Sequence, residues 1–174
     1  MNNDFEERII QVNRVSKKTK GGNKIGFSVL VVVGDRKGKV GVGLGKAQDV
    51  SSAIKKGVMV AKKHLITVPI INKTIPIRMD IKLGAARVML KPAPPGSGVI
   101  AGGAVRNVVS AAGIENISSK VLGTKNQASN VYATIEALKR IKERYRKDIL
   151  PAGVQRGRKQ EVKFRFLLKE ELCL

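Results

Sequence analysis

Glycine occupies every second position from Gly41 to Gly45, and aliphatic residues fill the positions around and between the glycines. This period of two is that of a β-strand, so one face carries Val40, Val42 and Leu44 while the other face has no side chains. Bare backbone requires something to approach it closely. A packed helix and a nucleic-acid backbone both meet that requirement, and the sequence leaves the two open.

A strand with almost no polar residues precedes the glycine strand. Residues 27–33, FSVLVVV, are mostly β-branched and lie between Gly26 and Gly34, which predicts a buried strand. The turn that follows, over residues 34–38, is expected to point Arg36 and Lys37 outward. Upstream, residues 5–15 are predicted as either a short strand or a helical turn.

Gly21 and Gly22 bend the chain into a basic hairpin, since both can adopt positive φ at little steric cost. The cations around this bend are Arg14, Lys17, Lys18, Lys20 and Lys24. An amphipathic helix is predicted over residues 49–66, with Asp49 or Ser51 as its N-cap. Its polar side carries two basic rows, Lys55 with Lys62 and Lys56 with Lys63. Such a face is ordinarily only solvated, and phosphate contact is the alternative.

A second unit begins after Pro69. The alternation predicts a strand over residues 74–83 and a return strand over 87–91, followed by a stiff proline loop at 92–95. The residues expected to face inward on the first strand are Ile75, Ile77, Met79, Ile81 and Leu83.

A short helix is then predicted from about residue 101 to Gly113, a strand over 117–122, and a last helix over 129–145. Gly102 and Gly103 either expose backbone N–H groups that favour anions or only permit close packing of the helix. From the residues alone, the chain is therefore an α+β protein of two small units, 1–70 and 71–145, with a basic tail at 146–174 that is flexible or ordered by a partner.

The charge limits the function further. The chain of 174 residues has 34 Lys and Arg against 13 acids, a net charge of +21. The charge is +9 in residues 1–70, +8 in 71–145 and +4 in 146–174, so a polyanion is expected on several sides. The glycine strand matches neither of two common nucleotide-binding motifs. A Walker loop would need glycine at position 40 and Ser or Thr at position 47, where the chain has Val40 and Ala47, and a dinucleotide fingerprint would need glycine at position 46, where it has Lys46.

The sequence also gives little basis for disulfide bonds, a zinc site or a membrane-spanning segment. One cysteine, Cys173, and one histidine, His64, build neither a disulfide framework nor a zinc site, and His64 is expected to be a surface residue. The N-terminus lacks the pattern of a secretion signal, and no apolar run is long enough to cross a bilayer. We therefore expect a cytoplasmic protein with no catalytic residues, no metal, no cofactor, no membrane contact and no small-molecule substrate.

Several long motifs in one order closely resemble the S-five family of small-subunit ribosomal proteins, of bacterial type. They are Asn13-Arg14-Val15-Ser16-Lys17, Lys20-Gly21-Gly22, Val31-Val32-Val33-Gly34-Asp35, the strand from Gly41 to Lys46, and Gly98 to Arg106. The resemblance covers about residues 5–145. It implies an N-terminal domain like a double-stranded-RNA-binding domain, with three strands and a helix. It also implies a C-terminal two-layer α/β domain with a left-handed β-α-β crossover.

The resemblance also implies where each part works. The hairpin would reach small-subunit ribosomal RNA beside the spectinomycin site, through Val15, Ser16, Lys17, Lys20, Gly21 and Gly22. Gly102, Gly103 and Arg106 would face a neighbouring protein of the S-four family, an interface linked to decoding accuracy. An S-eight protein would be a further neighbour, and the protein would help line the pore where messenger RNA enters. The family usually has Arg and Phe where this chain has Asn23 and Ile25.

The expected function is thus structural: a ribosomal protein that binds ribosomal RNA and supports subunit assembly and decoding accuracy. The residues expected to bind RNA are Arg14, Lys17, Lys18, Lys20, Gly21, Gly22, Lys24, Arg36, Lys37, Lys55, Lys56, Lys62 and Lys63. An NTPase and a free-standing RNA chaperone or DNA-binding protein are the alternatives from other classes.

Overall fold

The computed structural model describes residues 5–149 of the chain, with side chains described as far as residue 146. The strands are β1 (Glu6–Thr19), β2 (Gly22–Gly34), β3 (Lys39–Ala47), β4 (Ile66–Thr67), β5 (Met79–Leu83), β6 (Ala86–Pro92), β7 (Val99–Ile100) and β8 (Ile117–Leu122). The helices are α1 (Val50–Lys63), α2 (Gly103–Ala112) and α3 (Gln127–Ile149). Within the described residues the strands form two four-stranded sheets, ordered β1-β2-β3-β4 and β5-β6-β8-β7.

The first sheet is antiparallel throughout and packs α1 on one face. Val29, Val31 and Val33 of β2 point to that helix and are fully buried. Residues 5–15, which the sequence predicted as either a short strand or a helical turn, lie mostly in β1, a strand of 14 residues. This strand pairs with β2 along its whole length apart from one irregularity between Ile9 and Gln11. The expected three strands and a helix are confirmed, and the two-residue β4 adds a fourth strand at the edge.

The bare face of β3 lies directly against α1, which decides the question left open by the glycine alternation. A methyl group added at any of the three glycines would overlap a carbonyl oxygen of the helix. The pairs are Gly41 with Ala61, Gly43 with Gly57, and Gly45 with Ala53. Two residues of strand span about 6.7 Å and four of helix about 6.0 Å, so strand and helix stay in step. The packed-helix alternative is confirmed, and nucleic acid has no access to this face.

The second sheet carries α2 and α3 on one face. Its first strand is shorter than predicted and begins at Met79. Leu83, expected to face inward, is 42% exposed, because it pairs with Ala86 at the turn, where the hairpin ends. The predicted bounds of β8 and the helix stop at Gly113, whose φ is +88°, are confirmed.

A short strand missed in the sequence, β7, pairs in parallel with β8. Helix α2 therefore connects two parallel strands, and the β7–α2–β8 crossover lies where the family resemblance implies one. Its left hand stays a prediction. Helix α3 continues four residues past the predicted boundary at residue 145. The remainder of the predicted tail, with Cys173, lies outside the described residues.

The two units share a hydrophobic cluster that is separate from the cluster between β2 and α1. Leu30 and Val32, on the face of β2 opposite α1, belong to the same buried cluster as Val105 and Val109 of α2. From Val29 onward, strand β2 is therefore covered on both faces, which explains why this part of the strand contains no polar side chain. The turn after β2 is also tied to α2, since the backbone N–H of Gly38 donates to the carbonyl oxygen of Ala112 at 2.9 Å.

Candidate nucleic-acid interface

Strands β1 and β2 form a long hairpin whose outer half projects from the body of the protein. Residues 12–25 are all exposed, whereas β2 is buried from Val29 onward. At about 3.4 Å per residue, the five steps from Gly22 to Phe27 extend the hairpin by about 17 Å. Its tip pairs Thr19 with Gly22, and Gly22 has a φ of +130° that favours glycine. The sequence thus predicted both the bend and its exposure.

Basic side chains lie on both faces of this hairpin. Lys17 and Lys24 are directly opposite each other and share a face, while Arg14 and Lys18 alternate to the other face. None of these four side chains has an ion-pair partner within residues 5–149. Because like charges directly opposite across two strands are destabilising, the free hairpin carries an electrostatic cost that an anionic partner would remove.

The two family departures also lie on the hairpin. Asn23 is opposite Lys18, and Ile25 is opposite Ser16 with 42% of its surface exposed. Both positions are therefore open to a partner, and neither residue is needed for the core.

A groove at the base of the hairpin brings four lysines together. They are Lys17 and Lys24 of the hairpin, Lys46 near the end of β3, and Lys56 of α1. Lys46 was absent from the residues predicted to bind RNA. The signal for it was present in the sequence, because the same alternation that buries Val40 and Val42 carries Lys46 past the end of the buried segment, where it is exposed.

The lysines of α1 are all exposed, as predicted, and they are not equivalent. The Nζ atom of Lys62 lies 3.1 Å from a carboxylate oxygen of Glu7. Lys62 and Lys63 are in the last turn, where cations stabilise the helix dipole. Lys56 lines the groove, which makes it the helix lysine best placed to act with the hairpin. His64 is exposed just beyond the last turn, as expected, and Asp49 holds the N-cap position without a side-chain hydrogen bond to the helix.

Arg36 is exposed, as predicted, but its side chain is also paired with a group of the same chain. Its Nε donates to a carboxylate oxygen of Glu6 at 2.5 Å, and Arg8 binds the other oxygen at 2.8 Å. Hydrogen bonds from Arg36 and then Arg8 lower the pKa of Glu6 from 4.5 to about 2. The backbone N–H of Arg36 donates to Ala111 of α2 at 3.1 Å. Arg36 therefore stabilises the junction between the units, and Lys37 beside it is exposed.

Gly102, Gly103 and Arg106 are exposed at the start of α2. A methyl group on Gly103 would meet nothing within 4 Å, and one on Gly102 would only touch Val121 at 3.5 Å. Gly102 also has an ordinary φ of −63°. Close packing of α2 within the described residues therefore does not require glycine at these two positions. The alternative that Gly102 and Gly103 only permit such packing is wrong for this part of the chain.

Within residues 5–149, no group of three or more His, Cys, Asp or Glu side chains is placed to hold a metal ion, and no helix could span a membrane. Exposed cations on a projecting hairpin, a groove and a helix face define the class: an α+β protein with a polybasic surface of the kind that binds nucleic acid.

Comparison with known proteins identifies the family within this class. Residues 5–69 match the family described as "Ribosomal protein S5, N-terminal domain" and residues 81–149 match "Ribosomal protein S5, C-terminal domain". The "Small ribosomal subunit protein uS5" of Chloroflexus aurantiacus is 53% identical over 135 residues, which cover 78% of this chain and 76% of that protein. The protein of the same name from Thermotoga neapolitana is 48% identical over 162 residues, 91% of each chain. The "Small ribosomal subunit protein uS5c" of Emiliania huxleyi is 51% identical over 140 residues, 80% of this chain and 88% of that protein.

The chain belongs to the ribosomal protein S5 family, whose members are structural, non-enzymatic proteins of the small ribosomal subunit. The predicted family, the α+β fold class, the absence of enzymatic activity and the location on the ribosome are thereby confirmed.

Proposed function

We propose that this chain binds small-subunit ribosomal RNA through the hairpin and the lysine groove at its base, and so holds RNA helices in place during assembly. The observation that carries this proposal is the direct opposition of Lys17 and Lys24 on an exposed hairpin without acidic partners among the described residues. Phosphate groups would neutralise both lysines and release counterions. A-form RNA hides its major groove, so shape and phosphate contacts outweigh base recognition.

The test compares two charge-neutralising variants of the full chain. Lys17→Gln/Lys24→Gln removes the opposed pair, and Lys125→Gln/Lys139→Gln removes two exposed lysines far along the sequence. Filter binding to small-subunit ribosomal RNA is measured from 50 to 200 mM salt. The logarithmic salt slope should fall by about 2 for the hairpin variant and by less than 1 for the control. Equal slopes in the two variants would refute the hairpin as the RNA contact.

The finer roles come from the family resemblance and are part of the same proposal. The residues beside the spectinomycin site are Val15, Ser16, Lys17, Lys20, Gly21 and Gly22 of the hairpin. Gly102, Gly103 and Arg106 contact an S-four neighbour, and an S-eight protein also adjoins the chain. The protein supports decoding accuracy and helps line the pore where messenger RNA enters. The absence of any packing need for glycine at position 103 supports an external contact there.

A Gly103→Asp variant tests the neighbour contact. It should fold as the native chain does, because the site is open. Ribosomes that contain it should misread at a frequency that differs from that of native ribosomes, in either direction. Unchanged accuracy would count against the interface. Crosslinking of bound messenger RNA to this chain tests the pore, and a subunit that yields no such crosslink would exclude that role.

A further inference from the structure

The second sheet has one face that nothing in the described part of the chain covers. Helices α2 and α3 pack on the face that carries Val88 and Leu90, which are fully buried. By alternation along the strands, the opposite face carries Lys82 of β5, Arg87 and Lys91 of β6, and Lys120 of β8, and all four are exposed. We call this surface the outer face.

The outer face is basic and its charges are not balanced within residues 5–149. Its one acid there, Asp80, accepts a hydrogen bond from Arg78 at 3.1 Å and is thereby already paired. The four cations of the outer face have no ion-pair partner in the same part of the chain.

The arrangement repeats that of the hairpin. Lys82 is directly opposite Arg87, just as Lys17 is opposite Lys24. Like charges at such positions destabilise the free sheet. Two independent sheets of one chain thus carry the same costly pair on an exposed surface, which is difficult to explain unless both surfaces meet an anion.

The chemistry of the outer face also indicates the form of that anion. Residues 78–122 contain no Phe, Tyr or Trp, so bases of a single strand have no aromatic ring on which to stack. The cations are spread instead: Arg87 and Lys91 are about 13 Å apart along β6, and the strands on either side lie about 4.8 Å away. A patch of this size suits several phosphates of a rigid helix.

We propose that the outer face of the second sheet is a second RNA-binding surface, which holds double-helical ribosomal RNA by its phosphates. This inference rests on the proposed function, namely that the chain binds ribosomal RNA at all. It would let one protein fix two RNA segments relative to each other, because the two units share a core and do not rely on a linker for their arrangement.

The test uses the full chain and variants that lose equal charge. Lys82→Gln/Arg87→Gln/Lys120→Gln alters the outer face, and Lys125→Gln/Lys139→Gln/Lys142→Gln is the control on exposed positions elsewhere. Affinity for small-subunit ribosomal RNA is measured against salt concentration beside the native chain and the hairpin variant. The outer-face variant should lower the logarithmic salt slope by about 2 to 3, and the control by less than 1.

A single substitution separates binding from folding. Lys82→Glu places opposite charges across the strands, so the free protein should melt at a higher temperature than the native chain, while its RNA affinity falls about three- to tenfold at 100 mM salt. Lower affinity in a more stable protein cannot come from misfolding.

The outcomes are distinct for the two proposals. If the native chain and hairpin variant behave as expected but the outer-face variant matches the native slope, this inference alone is overturned. The same holds if that variant keeps its slope yet fails to join the small subunit, since an acidic protein would then occupy the face. A control that loses as much slope as the outer-face variant overturns it too. A native chain whose binding ignores salt refutes both proposals.

Discussion

Gly43 of β3 and Gly57 of α1 face each other with no space for a side chain between them. A methyl group on Gly43 would overlap the carbonyl oxygen of Gly57 and lie 2.7 Å from the amide nitrogen of Ala61. Both neighbours are backbone atoms, which cannot turn aside as a flexible side chain can. Strand and helix would have to separate.

Gly43→Ala should therefore lower the free energy of unfolding by about 3 kcal/mol or more. Urea denaturation followed by circular dichroism measures this loss. Gly21→Ala in the hairpin is the control, because a methyl group there meets nothing within 4 Å; its effect should stay within about 0.5 kcal/mol. Similar losses in the two variants would contradict the packing assigned to β3.

The junction between the two units rests on a second close approach, between Gly113 and Arg36. Gly113 has a φ of +88°, and a methyl group on it would overlap the carbonyl oxygen of Arg36. Gly96 has the same φ of +88° but open space around it. The left-handed conformation destabilises alanine at both positions by about 1 kcal/mol. The difference between the two variants in the free energy of unfolding therefore measures the effect of the contact with Arg36.

Gly113→Ala should thus lose about 1 to 3 kcal/mol more than Gly96→Ala in the free energy of unfolding. Thermal and urea denaturation of both variants measure the difference. Equal losses would show that the contact between the turn after β2 and the end of α2 adds nothing to stability.

The pH dependence of stability reports on Glu6. Because its pKa is lowered from 4.5 to about 2 in the folded protein, its ionised form stabilises the fold above about pH 4.5, and this contribution is lost as the pH falls toward 2. The native chain should therefore exceed Glu6→Gln in urea midpoint at pH 7, and the gap should close between pH 4.5 and 2. The effect is modest, since the groups are partly exposed.

A double-mutant cycle identifies the cause of that gap. In a chain that already carries Arg8→Gln and Arg36→Gln, the substitution Glu6→Gln should change the midpoint far less, because the two donors that lower the pKa are gone. A gap of unchanged size in this background would assign the stabilisation to other neighbours.

Local patterns predicted much of the architecture, because each depends on neighbours in the sequence. The strand at 117–122 and the helix stop at Gly113 needed only strand alternation and a residue able to adopt positive φ. Strand β7 has only two residues, too few to show a strand alternation in the sequence. The parallel crossover could therefore not be predicted from the residue pattern alone. Leu83 was assigned inward by an alternation that continues past the point where the core ends.

For the candidate interface, the sequence alone determined that the hairpin is basic, glycine-bent and open to solvent, because charge and turn chemistry are properties of the residues themselves. Tertiary structure decided which surfaces remain available to a partner. It placed α1 on the glycines of β3, tied Arg36 to Glu6 and α2, and brought Lys46 and Lys56 to the hairpin lysines. Those outcomes depend on contacts between segments far apart in the chain, and the alternation that marks a bare strand face does not specify what covers it.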